Sequence, residues 1–256
     1  MIRSFKAMSL WAVAALACFS CFAAHAALIA NGGFEAGFTG WSRVDQVGSD
    51  GTFFTQTGTA SPVNGDPVPP PPEGLTAAMT DAGGPGSHVL FQDFLVPASV
   101  GTTFLSFDLF VGNRSFDGAF HTPGHLDFAT PVLNQQARVD LLHGLTDPFS
   151  LSATDVVLNA FQTNVGDSLV SGYTHFSIDV TSVLNANANT VLRLRFAEVD
   201  NVGPFQFGVD NVSIASPAAP PGQAPEPASY ILVISGLISI AIARRQRVTC
   251  AQRLPR

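Results

Sequence analysis

Between Ala27 and about Ala215 the chain predicts an all-β fold, a sandwich or barrel of about eight to ten short strands. Three observations lead there. Apolar runs are short and rich in Phe, Val, Leu and Thr, and clusters of Gly, Pro, Asn and Asp separate them. No segment ahead of the C-terminal apolar stretch sustains a helical period, the nearest being "TSVLNANANT", one turn with Thr181 as its expected cap. Roughly 190 residues suffice for one domain with a sizeable core.

The elements follow in order. "ALIANGGFEAGFTGW" opens with a turn at Asn31, Gly32 and Gly33, anchored by Phe34 and closed by Gly40 and Trp41. Val44 to Thr59 reads as a strand containing Phe53 and Phe54. Six prolines between Ser61 and Glu73 bar that stretch from a central strand, leaving an exposed loop, an edge excursion or an extended connector. In "SHVLFQDFLV", Val89, Phe91 and Phe94 mark a half-buried strand. "TTFLSFDLFVGNRS" has the clearest alternation, with Phe104, Ser106, Asp108 and Phe110 on one face and Leu105, Phe107, Leu109 and Val111 on the other. A long loop follows, with Phe120 and Phe128 as its candidate exposed aromatics. Ala137, Val139 and Leu141 then alternate with charges, and "ATDVVLNAFQT" follows as a further strand segment. "SGYTHFSIDVT" sets Tyr173, His175, Ser177 and Asp179 opposite Thr174, Phe176, Ile178 and Val180. "TVLRLRFAEVD" turns Leu192, Leu194 and Phe196 inward and Arg193, Arg195 and Ala197 outward.

Both ends of the chain carry a different message. Arg3 and Lys6 precede an apolar run from Met8 to Ala24, and small residues at Ala24 and Ala26 flank His25. This is the three-part pattern of a secretory signal peptide, residues 1–26, with Ala27 as the first mature residue; an uncleaved anchor is the alternative. Cys18 and Cys21 fall inside that segment and Cys250 lies near the C-terminus, so the domain between has no disulfide, redox motif or Cys-ligated zinc. Between Ala27 and Pro227 five arginines face nineteen carboxylates, a net charge of −14. Such a surface repels phosphate backbones and excludes a nucleic-acid partner.

Near the end, Pro225, Glu226 and Pro227 precede an uncharged run from Tyr230 to Ala243, which Arg244, Arg245 and Arg247 close. Ala228 to Ala243 as a helix spans about 24 Å, shorter than a hydrocarbon core of roughly 30 Å. Snorkelling arginines and a thinned bilayer absorb the difference, and a buried core helix is the competing reading. The order Pro-Glu-Pro, apolar helix, arginine cluster resembles the PEP-CTERM sorting tail of bacterial surface proteins. That resemblance implies residues 225–247 as a sorting signal, an exosortase-type membrane protease and the secretion machinery as partners, and export to the cell surface or extracellular matrix. Residues 216–224 then form a Pro/Ala-rich spacer and residues 248–256 a cytoplasmic tail, which extends past the point where the family's tails normally stop.

The opening Asn-Gly-x-Phe-Glu with Gly-Trp, together with the closing "FQFGVDNVSI", is similar to jelly-roll carbohydrate-binding modules and related galactose-binding-like sandwiches. The resemblance implies a jelly-roll β-sandwich, and by analogy a structural calcium shared by Glu35 and Asp210, with the Gly33 carbonyl as a further ligand. Oxygen ligands suit calcium. The alternative is a solvated Glu35 and an Asp210 bonded to backbone amides.

Catalysis finds little support: there is no G-x-S-x-G elbow and, in the domain, no cysteine. His121 and His125 flank a Pro-Gly pair that forbids a helix, and no third zinc ligand stands nearby. His88, His143 and His175 read as isolated, strand-end or half-exposed residues. Glu198 and Asp200 share a strand face, where repulsion can raise a pKa, although such pairs are commonly solvated. Trp41 reads as core. The expectation is therefore an exported, non-enzymatic surface or matrix protein with a structural or adhesive role. A lectin-like carbohydrate-binding module able to engage extracellular polysaccharide is the first alternative, and a hydrolase whose mark would be paired acids in a cleft is the second.

Overall fold

In the computed structural model, which describes residues 27–217, the chain is a jelly-roll β-sandwich. The strands are β1 (Ser42–Asp45), β2 (Thr52–Gln56), β3 (Ala77–Asp81), β4 (Gly86–Leu95), β5 (Phe104–Asn113), β6 (Gln135–His143), β7 (Val156–Gln162), β8 (Thr174–Asp179), β9 (Val191–Asp200) and β10 (Phe205–Ala215). One sheet runs β1-β4-β9-β6-β7 and the other β2-β3-β10-β5-β8, with all neighbouring strands antiparallel. Among the described residues no helix is long and apolar enough to cross a membrane. The cleavage residues Ala24 and Ala26 and the sorting residues Pro225, Glu226, Pro227, Arg244, Arg245 and Arg247 lie outside the described residues.

Alternation along the strands builds the core. Leu105, Phe107, Leu109 and Val111 of β5 meet Leu192, Leu194 and Phe196 of β9 between the sheets, and Phe107 meets Phe196 edge-on at 5.8 Å. Trp41 sits in the same core, 5.3 Å from Phe34 and 6.0 Å from Phe196, and its Nε1 donates to the Asn31 carbonyl at 3.0 Å. The Asn31–Gly33 turn is needed for close approach: a Cβ on Gly32 would lie 1.8 Å from the Val212 carbonyl oxygen. The opening segment is thereby joined to β10, with Leu28 N donating to Ile214 O and Val212 N to Gly32 O.

Several expectations are corrected. The strand expected from Val44 to Thr59 is broken by a turn into β1 and β2, where Gly48 and Gly51 adopt positive φ. Thr181 is not a cap: Val180 occupies that position in the helix α1 (Thr181–Ala186), and Thr181 Oγ1 instead accepts from Thr103 N. Phe120 is buried against Phe205, and Phe128 is half-buried.

The largest corrections concern the outer faces of the sheets. The proline-rich stretch does not hang free. Its Val68 packs on Met79 and Phe110, and buried Asp81 accepts hydrogen bonds from Val63 N, Asn64 N and Asn64 Nδ2. On the other sheet Arg193 and Arg195 point away from the core, as their spacing requires, yet both are buried and donate to the carbonyls of Thr146, Pro148 and Ser150 in the loop after β6. Arg195 donates to the carbonyls of Pro148 and Ser150 and to Asp140, which Arg138 also grips through two nitrogens. The two guanidiniums hold the Asp140 carboxyl below its ordinary range despite its burial.

Trp41→Ala is expected to destabilise the protein by about 3–5 kcal/mol, since it removes a buried indole from between two aromatic rings. Urea unfolding of both proteins, followed by far-UV circular dichroism, checks this; an unchanged midpoint contradicts the core placement.

Candidate functional site

With loops over both sheets, part of the outer face of β5, β8 and β10 is left exposed to solvent. Register lines up Ser177, Ser106 and Ser213 in one row, and His175, Asp108 and Asp210 in the next. Phe104, half-buried, stands at one end of the face. Tyr173 closes the other, packed on Phe110 under the edge of the proline-rich loop, and its OH donates to Gln56 Oε1 at 3.3 Å.

A bulge shapes this surface. Register shifts between Asp210 and Ser213, and Asn211 takes φ +52. An extra residue turns neighbouring side chains toward one face, and Asn211 Nδ2 accordingly donates to Asp108 Oδ2 at 3.1 Å. The other Asp108 oxygen lies 2.7 Å from His175 Nδ1. Exposed His175 and half-buried Asn211 are thus both oriented by one buried carboxylate.

Next to this face the residues expected to hold calcium share one loop. Glu35 Oε1 accepts from Leu75 N, Thr76 N and Thr76 Oγ1, whereas Asp210 Oδ2 accepts from Glu73 N and Asp210 Oδ1 from Asn211 N. A Cβ on Gly33 would lie 3.3 Å from Glu73 Oε2 and 3.9 Å from Asp210 Oδ1, which places Glu73 beside Gly33 and Asp210. The backbone amides of Leu75 and Thr76 hold the Glu35 carboxyl below its ordinary value. Asp210 goes the other way: burial, reinforced by the charges of Glu73 and Asp108, pushes it up to about 7 against the pull of two amides.

Other sequence candidates fall elsewhere. His121 pairs with Asp117 at 2.6 Å on the surface. Glu198 and Asp200 are not solvated but buried on the inward side of β9. Burial raises both carboxyls, Asp200 to about 7. His88, expected at a strand end or half exposed, is buried beside them. Spacing within a strand showed the face of Glu198 and Asp200; the proximity of His88 depends on pairing between β4 and β9, which no local signal carries.

No family model and no curated protein matches the chain. Solved structures similar to it include a family-61 carbohydrate-binding module in complex with β-1,4-galactotriose, 13% identical, covering 75% of this chain and 99% of that one with a TM-score of 0.42. The K3 cleaved adhesin domain of Lys-gingipain from Porphyromonas gingivalis W83 is 12% identical over 75% of this chain and 100% of that one, with a TM-score of 0.43. A Stig cyclase from Fischerella sp. TAU is 18% identical over 76% of this chain and 100% of its own, with a TM-score of 0.40. Likenesses this remote, spread over a binding module, an adhesin and a cyclase, select no function.

The raised Asp210 carboxyl sets a direction for pH dependence. Between its ordinary 3.8 and about 7 the folded chain holds a proton that the unfolded chain has released, so stability falls as pH rises through that window. Glu198 and Asp200, raised by burial, act in the same direction, and Glu35, held low by backbone amides, acts in the opposite one. In chelator, the melting temperature is expected to fall from pH 5 to pH 8, and Asp210→Asn to make that slope shallower, the remainder belonging to Glu198 and Asp200, and to melt higher at pH 8. Scanning calorimetry that finds equal slopes in both proteins refutes this.

Proposed function

We propose that this chain is an exported, non-enzymatic β-sandwich that binds carbohydrate on the exposed face of β5, β8 and β10. The observation that supports this is the composition of that face. Serines, His175 and Asn211 offer hydrogen-bond donors and acceptors at the surface, oriented by buried Asp108, and Phe104 supplies an apolar edge. Sugars present this same combination, hydroxyls around the ring and C–H patches on its faces. Donors and acceptors already fixed by the protein lose less freedom on binding than mobile ones. The signal pattern, the spacer and the Pro-Glu-Pro tail with its arginines support delivery outside the cell, where extracellular polysaccharide is the partner at hand.

Calcium at the edge of this face is part of the proposal. Asp210 and Glu73, with the Gly33 carbonyl, would supply its first oxygens, and Glu35, now engaged by the Leu75 and Thr76 amides, would have to draw in toward them, because among the described residues these three carboxylates do not all lie within 4.8 Å of one another; the set is all oxygen, as calcium requires. Glu73 and Asp108 already raise the Asp210 carboxyl through repulsion, and a bound cation offsets that repulsion. The ion would tie the opening turn and the loop at Glu73 to β10, a structural role with no part in chemistry.

The paired acids give the hydrolase reading one point of support, because Asp200 lines a cleft. Its partner does not: Glu198 is 1% exposed and absent from that lining, so the two do not flank a substrate.

Titration calorimetry of the full chain against β-linked galactan, cellulose oligomers and the producing cell's own polysaccharide tests the face. Saturable binding is expected, weakened roughly tenfold by Phe104→Ala and by Asn211→Ala, in keeping with the loss of one apolar contact or one fixed hydrogen bond. Phe116→Ala, an exposed aromatic elsewhere, leaves it unchanged. Binding that survives both face substitutions, or no binding to any of the glycans, removes the proposal.

Calcium is tested separately. Its addition to chelator-treated protein is expected to raise the melting temperature by several degrees, and Glu73→Gln to halve that gain or more; an unmoved melting temperature rejects the ion.

A further inference from the structure

At one end of the sandwich interior the apolar core gives way to three polar side chains. His88 of β4 and Glu198 of β9 are register partners, and Gly86 is the partner of Asp200. All three side chains lie on the inward side of their sheet, beyond Phe196, and Thr80 of the opposite sheet, whose hydroxyl donates to the Phe205 carbonyl, stands beside Glu198. They are 1%, 1% and 4% exposed, and one ligand atom from each lies within 4.8 Å of the other two.

The bonding of each group leaves a gap of one kind. His88 Nδ1 is 2.7 Å from Asp45 Oδ1 and donates its hydrogen there. This fixes the tautomer, so Nε2 carries a lone pair. Within the interior Nε2 has no hydrogen-bond partner, and neither does Glu198 Oε1. Asp200 uses one oxygen to accept from Gly86 N at 2.8 Å. Electron-pair donors therefore converge, with no hydrogen supplied among them, where none of the three side chains is more than 4% exposed. Unpaired buried acceptors are destabilising, and a cation among them removes the defect.

We propose that His88 Nε2, Glu198 and Asp200 bind one divalent transition-metal ion of the zinc type. An imidazole nitrogen with two carboxylates is a donor set that zinc accepts at about 2.0–2.2 Å, and calcium, which takes oxygen, does not. Asp45 is the outer partner that orients the imidazole, as carboxylates beside metal-binding histidines do. A dication balances both Glu198 and Asp200, whereas a single proton, the competing occupant, balances one. Asp200 also lines a cleft of about 290 Å³ together with Gly83, Gly84, Pro85, Asn201 and Gly203. That cleft supplies a path for the ion and room for water as a fourth ligand. The ion would cross-link two adjacent strands of the sheet in a domain that has no cysteine. The site is separate from the oxygen-only group at Glu35 and Asp210 and stands whether or not that group binds calcium.

The test uses the full chain without an affinity tag, stripped with chelator and titrated in separate samples with Zn²⁺ and with Co²⁺ in calcium-saturated buffer. One ion per chain is expected, with a visible Co²⁺ absorption band. His88→Gln should abolish the band and weaken Zn²⁺ binding at least a hundredfold. Asp45→Asn should weaken it about 10–100-fold. His121→Gln, at the surface, should change neither. X-ray absorption of the zinc-loaded wild-type chain, which does not depend on any variant folding, should show one imidazole with oxygen ligands. A folded wild-type chain that takes up neither ion, a shell lacking imidazole, or wild-type affinity in folded His88→Gln overturns the proposal; the first of these leaves a proton as the only occupant.

Discussion

The two-residue period of β9 is the constraint on which the rest of this structure depends. β9 is the middle strand of its sheet, between β4 and β6, and every residue from Leu192 to Asp200 is buried, so both of its faces are covered as well as both edges. Leu192, Leu194 and Phe196 on the inner side meet the opposite sheet; Arg193 and Arg195 on the outer side, being charged, need partners where they stand. Burying a guanidinium is tolerable only when its donors are matched. Asp140, Asp93 and the carbonyls of Thr146, Pro148 and Ser150 do the matching, and in doing so they draw a whole loop down over the sheet.

The second sheet is covered by an analogous device of opposite sign. There a buried carboxylate, Asp81, collects the amides of Val63 and Asn64 and brings the proline-rich segment onto Met79 and Phe110. Between them the two devices decide which surface remains open. Neither was chosen for the face of β5, β8 and β10, yet that face is where the covering stops. In a domain with no cysteine, carboxylate-centred networks of this kind take the positions that disulfides hold in small cross-linked domains.

Much of the sandwich was legible because its strands are locally consistent: "FLSFDLFV" can satisfy both of its faces in only one way, and the structure uses that way. Trp41 was equally readable, since an indole beside a Gly-rich turn has few places to go but inward. The site was less so. Nothing local says that Asp108 will orient both His175 and Asn211, because the second contact exists only through a bulge in β10. Proline counts correctly barred residues 61–73 from a central strand, but the docking of that segment depends on an aspartate beyond its end. His88 was misjudged for the same reason: a lone histidine has no visible partner until two strands far apart in sequence are put in register.

The Gly32 turn fixes where the chain begins and ends. Because Leu28 pairs with Ile214 and Gly32 with Val212, the first and last described residues leave the sandwich side by side. Tension applied between the two ends would meet those few backbone bonds one after another, as in opening a zipper, and would peel the opening strip away from β10. A domain fastened at one end and tugged through the other would thus yield first at a sacrificial seam that can close again when the pull is released.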